Sequence, residues 1–176
     1  MDNPFQGGQE RDMTWDTDIL IAGGGLNGPA LALALAQGGF RVTVIDARPA
    51  PDRAEVGFDG RAYALAIASV RLLKAIGVWD SVADKAQPMN EIKASDGRAG
   101  EGAAAFFLHF DAAEIEEGPV GHMLEDRFLY AAFLQAMQQT PGITLMPGET
   151  VVAQEVTPEG ATAPIKASFR QEFFAQ

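Results

Sequence analysis

The sequence predicts an α/β fold organised around a parallel β-sheet, and three observations predict it. An apolar run, Ile19-Leu20-Ile21-Ala22, is followed by the glycine cluster Gly23-Gly24-Gly25-Leu26-Asn27-Gly28. That cluster opens a helix-forming stretch from Pro29 to Gln37. A second apolar run, Phe40 to Ile45, then closes on Asp46. Strand, helix and strand in that order make a βαβ unit, and the glycine spacing is that of a dinucleotide fingerprint of the Rossmann type. Gly23, Gly25 and Gly28 fill the G-x-G-x-x-G pattern. The first lets the chain turn off the strand, the second lets backbone approach a diphosphate, and the third lets helix and strand pack closely. Free N–H groups and the macrodipole at the helix N-terminus favour an anion there. Pro29 suits the first turn because its missing N–H costs no helical bond. Asp46, about 20 residues on, is placed to accept hydrogen bonds from an adenosine ribose. The alternative is an ordinary βαβ turn in which Asp46 only caps a strand end.

Composition narrows the class of protein. A chain of 176 residues with 47% hydrophobic and 21% charged residues has ordinary globular composition and room for one good core. A net charge of -11 argues against nucleic acid as a partner, because phosphate neutralisation needs clustered Lys and Arg. With zero cysteines there is no disulfide, no thiolate catalysis and no cysteine-bound metal, which fits a reducing, cytoplasmic setting. Only His109 and His122 supply imidazole, and neither has a second His at helical ligand spacing, so no metal site is expected. No apolar run reaches the roughly 18 residues of a spanning helix. Residues 1–16 are polar and acidic without an apolar h-region, and are expected to be a disordered leader.

The remaining elements follow in order. Ala47 to Arg53, with two prolines, reads as a loop, and Arg48 within it either reaches an adenosine phosphate or is simply solvated. Leu65, Ser69, Leu72, Leu73 and Ile76 recur at helical spacing, with Gly77 as C-cap and Val78-Trp79 folded back over the end. Arg61 precedes that helix. Its planar fork suits a diphosphate, and pairing to Asp59 or Glu55 is the equal alternative. Asn90 to Ser95 reads as a strand before the hairpin dipeptide Asp96-Gly97, and Ala103 to Phe110 as its partner. A second amphipathic helix carries Leu129, Phe133, Leu134 and Met137 on one face. Ile143 to Met146 is the natural third strand of the parallel sheet, and Thr150 to Val156 is a further strand. Beyond Thr157 the pattern fades.

Several of these residues together resemble a known family. They are the segment Gly23 to Ala30, Asp46 with Arg48, Asp59-x-Arg61 with Ala64-Leu65, Ile76-Gly77-Val78-Trp79, and Gly121-His122-Met123-Leu124-Glu125. They resemble the ubiquinone-biosynthesis hydroxylases, a group of FAD-dependent aromatic hydroxylases akin to para-hydroxybenzoate hydroxylase. The resemblance runs from about Thr17 to about Val156. It implies that Gly23, Gly25 and Gly28 cradle the FAD diphosphate, that Asp46 holds the ribose and that Arg61 lies along the cofactor. Family members usually carry arginine or asparagine where this chain has Asp126, and Arg127 is the substitute contact. Val151 is expected to pass the adenine by its backbone.

The resemblance also implies a division of the chain. Residues 17–87 and 123–156 would be parts of a Rossmann-like FAD-binding domain, 88–122 would be strands of an inserted β-sheet substrate domain, and 157–176 an irregular tail. Two expected motifs, a later Asp-Gly and a Gly-Asp, do not occur at the expected places, so the chain is expected to be a truncated, N-terminal piece. The implied function is an FAD-dependent monooxygenase, with NAD(P)H as reductant, hydroxylating a polyprenyl phenol with molecular oxygen. Contact with a membrane at its periphery, or membership of a hydroxylase complex, goes with such a substrate. No residue is singled out as a catalytic acid or base. The rival readings are a non-catalytic remnant that binds adenine nucleotide, a partner subunit, and, less well supported, an NAD-dependent dehydrogenase.

Overall fold

The computed structural model of the chain describes residues 16–49, 60–98, 100–158 and 160–167. The first unit is β1 (Ile19–Ala22), α1 (Asn27–Gln37) and β2 (Val42–Asp46). There follow β3 (Ala62–Ala66), α2 (Ile67–Ala75), β4 (Gln87–Met89), the long pair β5 (Glu91–Arg98) and β6 (Gly102–Asp111), and β7 (Gly121–Glu125). The chain continues through α3 (Asp126–Gln139), β8 (Ile143–Pro147), β9 (Glu149–Val151), β10 (Glu155–Thr157), β11 (Gly160–Thr162) and β12 (Ile165–Ala167).

A parallel sheet in the order β1-β2-β8 forms the centre, with Ile21 opposite Val44 and Val44 opposite Leu145. The middle strand is apolar on both faces, with Val42, Val44 and Ile45 all buried, as a covered parallel strand requires. α1 and α3 pack on one another and on this sheet, placing Ala32, Leu33, Leu129, Phe133 and Met137 in one core with Val42 and Val44. Of the predicted α3 face, Leu129, Phe133 and Met137 are buried and Leu134 is half-buried. At the start of β1, the Arg41 side chain and backbone N–H both donate to the Asp18 carboxylate, tying the two strands together. No helix among the described residues is long and apolar enough to cross a membrane.

α2 ends as predicted, and the geometry gives the reason. Gly77 has φ +75°, its N–H donates to Lys74 O at 3.1 Å and the Val78 N–H to Leu73 O at 2.9 Å. These two bonds satisfy the last carbonyls in a left-handed cap that a side chain at Gly77 would strain. Val78 and Trp79 fold back into the core.

Four local expectations differ from the structure. Leu65 is not helical: Ala62–Ala66 forms β3, paired antiparallel with β7 from Ala62↔Glu125 to Ala66↔Gly121, and the helix begins at Ile67. Pairing with a strand some 60 residues away overrides the helical spacing of Leu65 with Ser69. Asp96-Gly97 is not a turn. β5 continues to Arg98 with an irregularity between Ser95 and Gly97, and the reversal lies beyond it, where Gly100 has φ +89°. The stretch from Thr150 to Val156 is two short strands rather than one, and the expected irregular tail contains β11 and β12, paired to β10 and β9. The leader, Asp16 excepted, and residues 168–176 lie outside the described residues.

Candidate functional site

The glycine bend is built by steric necessity. Gly23 leaves β1 with φ +117° while its N–H donates to Ile45 O at 2.7 Å, so the turn starts with the strand still tied to β2. A Cβ on Gly28 would lie 1.9 Å from Gly23 O, so the first turn of α1 can pack on the bend only without a side chain. A Cβ on Gly24 would lie 2.6 Å from Asp46 Oδ2 and 2.9 Å from Asp46 Cβ. The Asp46 carboxylate is therefore turned onto the bend. Its Oδ1 accepts the Arg48 N–H at 2.9 Å, which fixes its orientation. Gly24 is a site residue that the spacing rule passes over; the run of three consecutive glycines was the available signal.

α1 starts at Asn27 after Leu26, with no side-chain cap and no acidic residue in its first turn. Its first N–H groups therefore meet no capping side chain and no acidic side chain of the helix's own first turn. Beside the bend is a cavity of about 350 Å³. Gly24, Asp46 and Arg48 line one side, and Tyr130, Leu134 and Met137 of α3 line the other. A polar rim at Asp46 next to an apolar wall suits a nucleoside, whose sugar is polar and whose base is flat and weakly polar. The donors and the space fit the ADP part of a dinucleotide cofactor.

The remaining predicted residues lie elsewhere. Arg61 has the two acids suggested by its neighbourhood, Asp59 and Glu55, outside the described residues. Its Nη2 is 3.2 Å from Asp126 Oδ2, the Tyr63 hydroxyl donates to Asp126 Oδ1 at 3.0 Å, and the Asp126 N–H donates to Arg61 O at 3.1 Å. The Asp126 side chain is only 5% exposed. A buried carboxylate needs such partners, and they give the acid at this position a structural task. Tyr63 is likewise structural. Arg127 Nε is 2.6 Å from Glu125 Oε2, and its guanidinium lies over the Phe128 ring at 4.6 Å. Val151, opposite Ile165, lines a second cavity of about 860 Å³ that runs along Thr17, Asp18, Leu20 and Ala22 of the first strand region. Arg61 and Arg127 line neither of these cavities.

His122 sits edge-on to Trp79 at 5.0 Å, with its Nδ1 buried and without a hydrogen-bond partner among the described residues. Burial first, and the Lys74 charge second, hold its pKa below the ordinary value.

The fold and the bend together define an α/β protein with a dinucleotide-binding fingerprint. Solved structures agree on the fold. The flavin-dependent monooxygenase PieE, determined with FAD and substrate, matches with a TM-score of 0.65 at 21% identity over 86% of this chain and 27% of its own. PqsL of Pseudomonas aeruginosa, a probable FAD-dependent monooxygenase, matches at 0.64 and 19% over 87% and 39%. The profile of the FAD binding domain matches residues 16–164, and the chain belongs to that family.

Among curated relatives, the ubiquinone hydroxylase UbiL of Rhodospirillum rubrum is 38% identical over 148 residues, covering 84% of this chain and 33% of its own. The 3-demethoxyubiquinol 3-hydroxylase of Escherichia coli is 42% identical over 138 residues, 77% of this chain and 34% of its own. The chain thus spans about a third of the length of these relatives.

Proposed function

We propose that the chain is the nucleotide-binding part of an FAD-dependent monooxygenase that hydroxylates a polyprenyl phenol intermediate of ubiquinone biosynthesis. The observation that carries this reading is the bend itself, where an uncapped helix start and the Asp46 carboxylate converge on Gly24 and Gly28, at which a Cβ would clash. In this reading the α1 N–H groups hold the FAD diphosphate across Gly23, Gly25 and Gly28. Asp46 accepts from the ribose hydroxyls and Arg48 stands beside it. Arg61, Arg127 and the Val151 backbone are further contacts along the cofactor. FAD, once bound, supplies the redox chemistry that places an oxygen atom from O2 on an aromatic ring. The protein's part is to bind, orient and exclude water.

The relatives' names support ubiquinone biosynthesis as the setting. NAD(P)H as reductant, a cytoplasmic location with peripheral contact to the inner membrane, and a place in a hydroxylase complex belong to the same proposal. So does the division in which residues 17–87 and 123–156 hold FAD and 88–122 cover the substrate.

Calorimetric titration with ADP and with FAD tests it. Both bind, and Asp46→Ala weakens ADP by about tenfold or more, the worth of a hydrogen bond to a charged group. An Asp46→Ala chain that binds ADP as well as the parent would overturn the assignment. The pairing of Arg61 with Asp126 and of Arg127 with Glu125, away from both cavities, favours one second reading, a nucleotide-binding chain without turnover. ADP binding without NAD(P)H oxidation in the presence of a phenolic acceptor would select it.

A further inference from the structure

The β5–β6 hairpin has two unlike faces. Ile92, Ala94, Leu108 and Phe110 share one, by the pairings Ile92↔Phe110 and Ala94↔Leu108. The other carries Glu91 opposite Asp111 and Lys93 opposite His109. Alternation along each strand puts these four side chains on the same side, with cross-strand neighbours in reach of one another.

One donor atom from each of Glu91, His109 and Asp111 lies within 4.8 Å of the others. His109 Nε2 is 3.3 Å from Glu91 Oε2, and the Phe107 ring stands edge-on to the imidazole at 6.3 Å. The Ala113 N–H donates to Asp111 Oδ1 at 2.9 Å, which orients that carboxylate. A cation is already drawn to this place, since Lys93 Nζ lies 2.6 Å from the same Glu91 oxygen.

We propose that Glu91, His109 and Asp111 bind one divalent first-row transition-metal ion, for which the Lys93 ammonium substitutes when the metal is absent. Metal–nitrogen and metal–oxygen bonds of about 2.0–2.2 Å bring three such donors onto one ion with small side-chain rotations. Each ligand comes from a paired strand, so the backbone that positions it is formed before the metal arrives. An imidazole with two carboxylates selects zinc and its neighbours over magnesium, which prefers an all-oxygen, largely hydrated shell. A net charge of -11 favours the approach of any cation. The site is separate from the glycine bend and does not depend on the function proposed above.

Because the metal must displace Lys93, that residue is a competitor, and this separates a coordinating site from diffuse attraction to acidic side chains. Titrating the full chain with Zn2+ in chelator-free buffer is expected to give one saturable site. His109→Ala weakens it by at least about tenfold, no less than the loss of an outer hydrogen-bond partner to a metal ligand. Lys93→Met tightens it by up to about fivefold, the worth of a surface ion pair. Circular dichroism confirms that both variants fold, both side chains being on the exposed hairpin. Zinc binding that His109→Ala leaves unchanged, binding that Lys93→Met fails to tighten, or zinc displaced by equimolar Mg2+ would each overturn the proposal.

Discussion

Gly28 is the residue on which the nucleotide end of the molecule turns. With Gly23 O only 1.9 Å from where its Cβ would be, Gly28→Ala must open the bend or shift α1. The expected loss is about 1–3 kcal/mol, as for other overpacked sites, read as a lower urea midpoint, together with weakened ADP binding. His122 makes a different prediction. Its folded pKa is depressed, chiefly by burial, so the unfolded chain takes up the proton first as pH falls. The stability that the neutral ring contributes is full above the ordinary value of 6.5 and is lost as pH falls from there toward the lowered folded value. His122→Phe is expected to flatten that part of the stability profile, measured as urea midpoints between pH 7 and pH 5.

At the scale of elements, α3 has the most to hold. Its Phe133 is 2% exposed and sits in the core shared by α1, α3 and the parallel sheet. Phe133→Ala is expected to cost about 3–5 kcal/mol, since the cavity is bounded by two helices and a sheet that relax little. The same helix begins with Asp126, whose bonds to Arg61 and Tyr63 tie α3 to the entry of β3. That link adds to the pairing of β3 with β7, where helical spacing alone pointed to a longer α2. The βαβ unit and the C-terminal ends of α1 and α2 were legible because each rests on local demands: apolar runs of strand length, and glycines where φ is positive. The turn near Gly100 was not, because Asp96-Gly97 has turn chemistry but is held extended by its pairing to β6.

At the scale of the whole molecule, one feature is the apolar surface. Phe106 is 91% exposed, Leu108 65% and Phe110 52%, all on the long hairpin. Alternation along β6 puts the three on one face, an exposed apolar strip. The isolated chain is therefore expected to bind the dye ANS in its native state, and Phe106→Ser with Leu108→Ser to remove most of that fluorescence. Unchanged dye binding would place the exposed surface elsewhere, along β1 for instance, where Leu20 is 41% exposed at the edge of the parallel sheet.

By itself the sequence determined the βαβ unit, the glycine bend and the acid that closes β2, because each is written in residue types and spacings within about 30 positions of one another. Only the tertiary structure decided that Asp46 turns onto Gly24, that Arg61 is held by Asp126, and that Glu91 meets His109 and Asp111. Those partners come from separate strands and helices, Tyr63 and Asp126 being 63 residues apart. Which long-range pairs meet is set by strand register and helix packing, and neither leaves a signature in local composition.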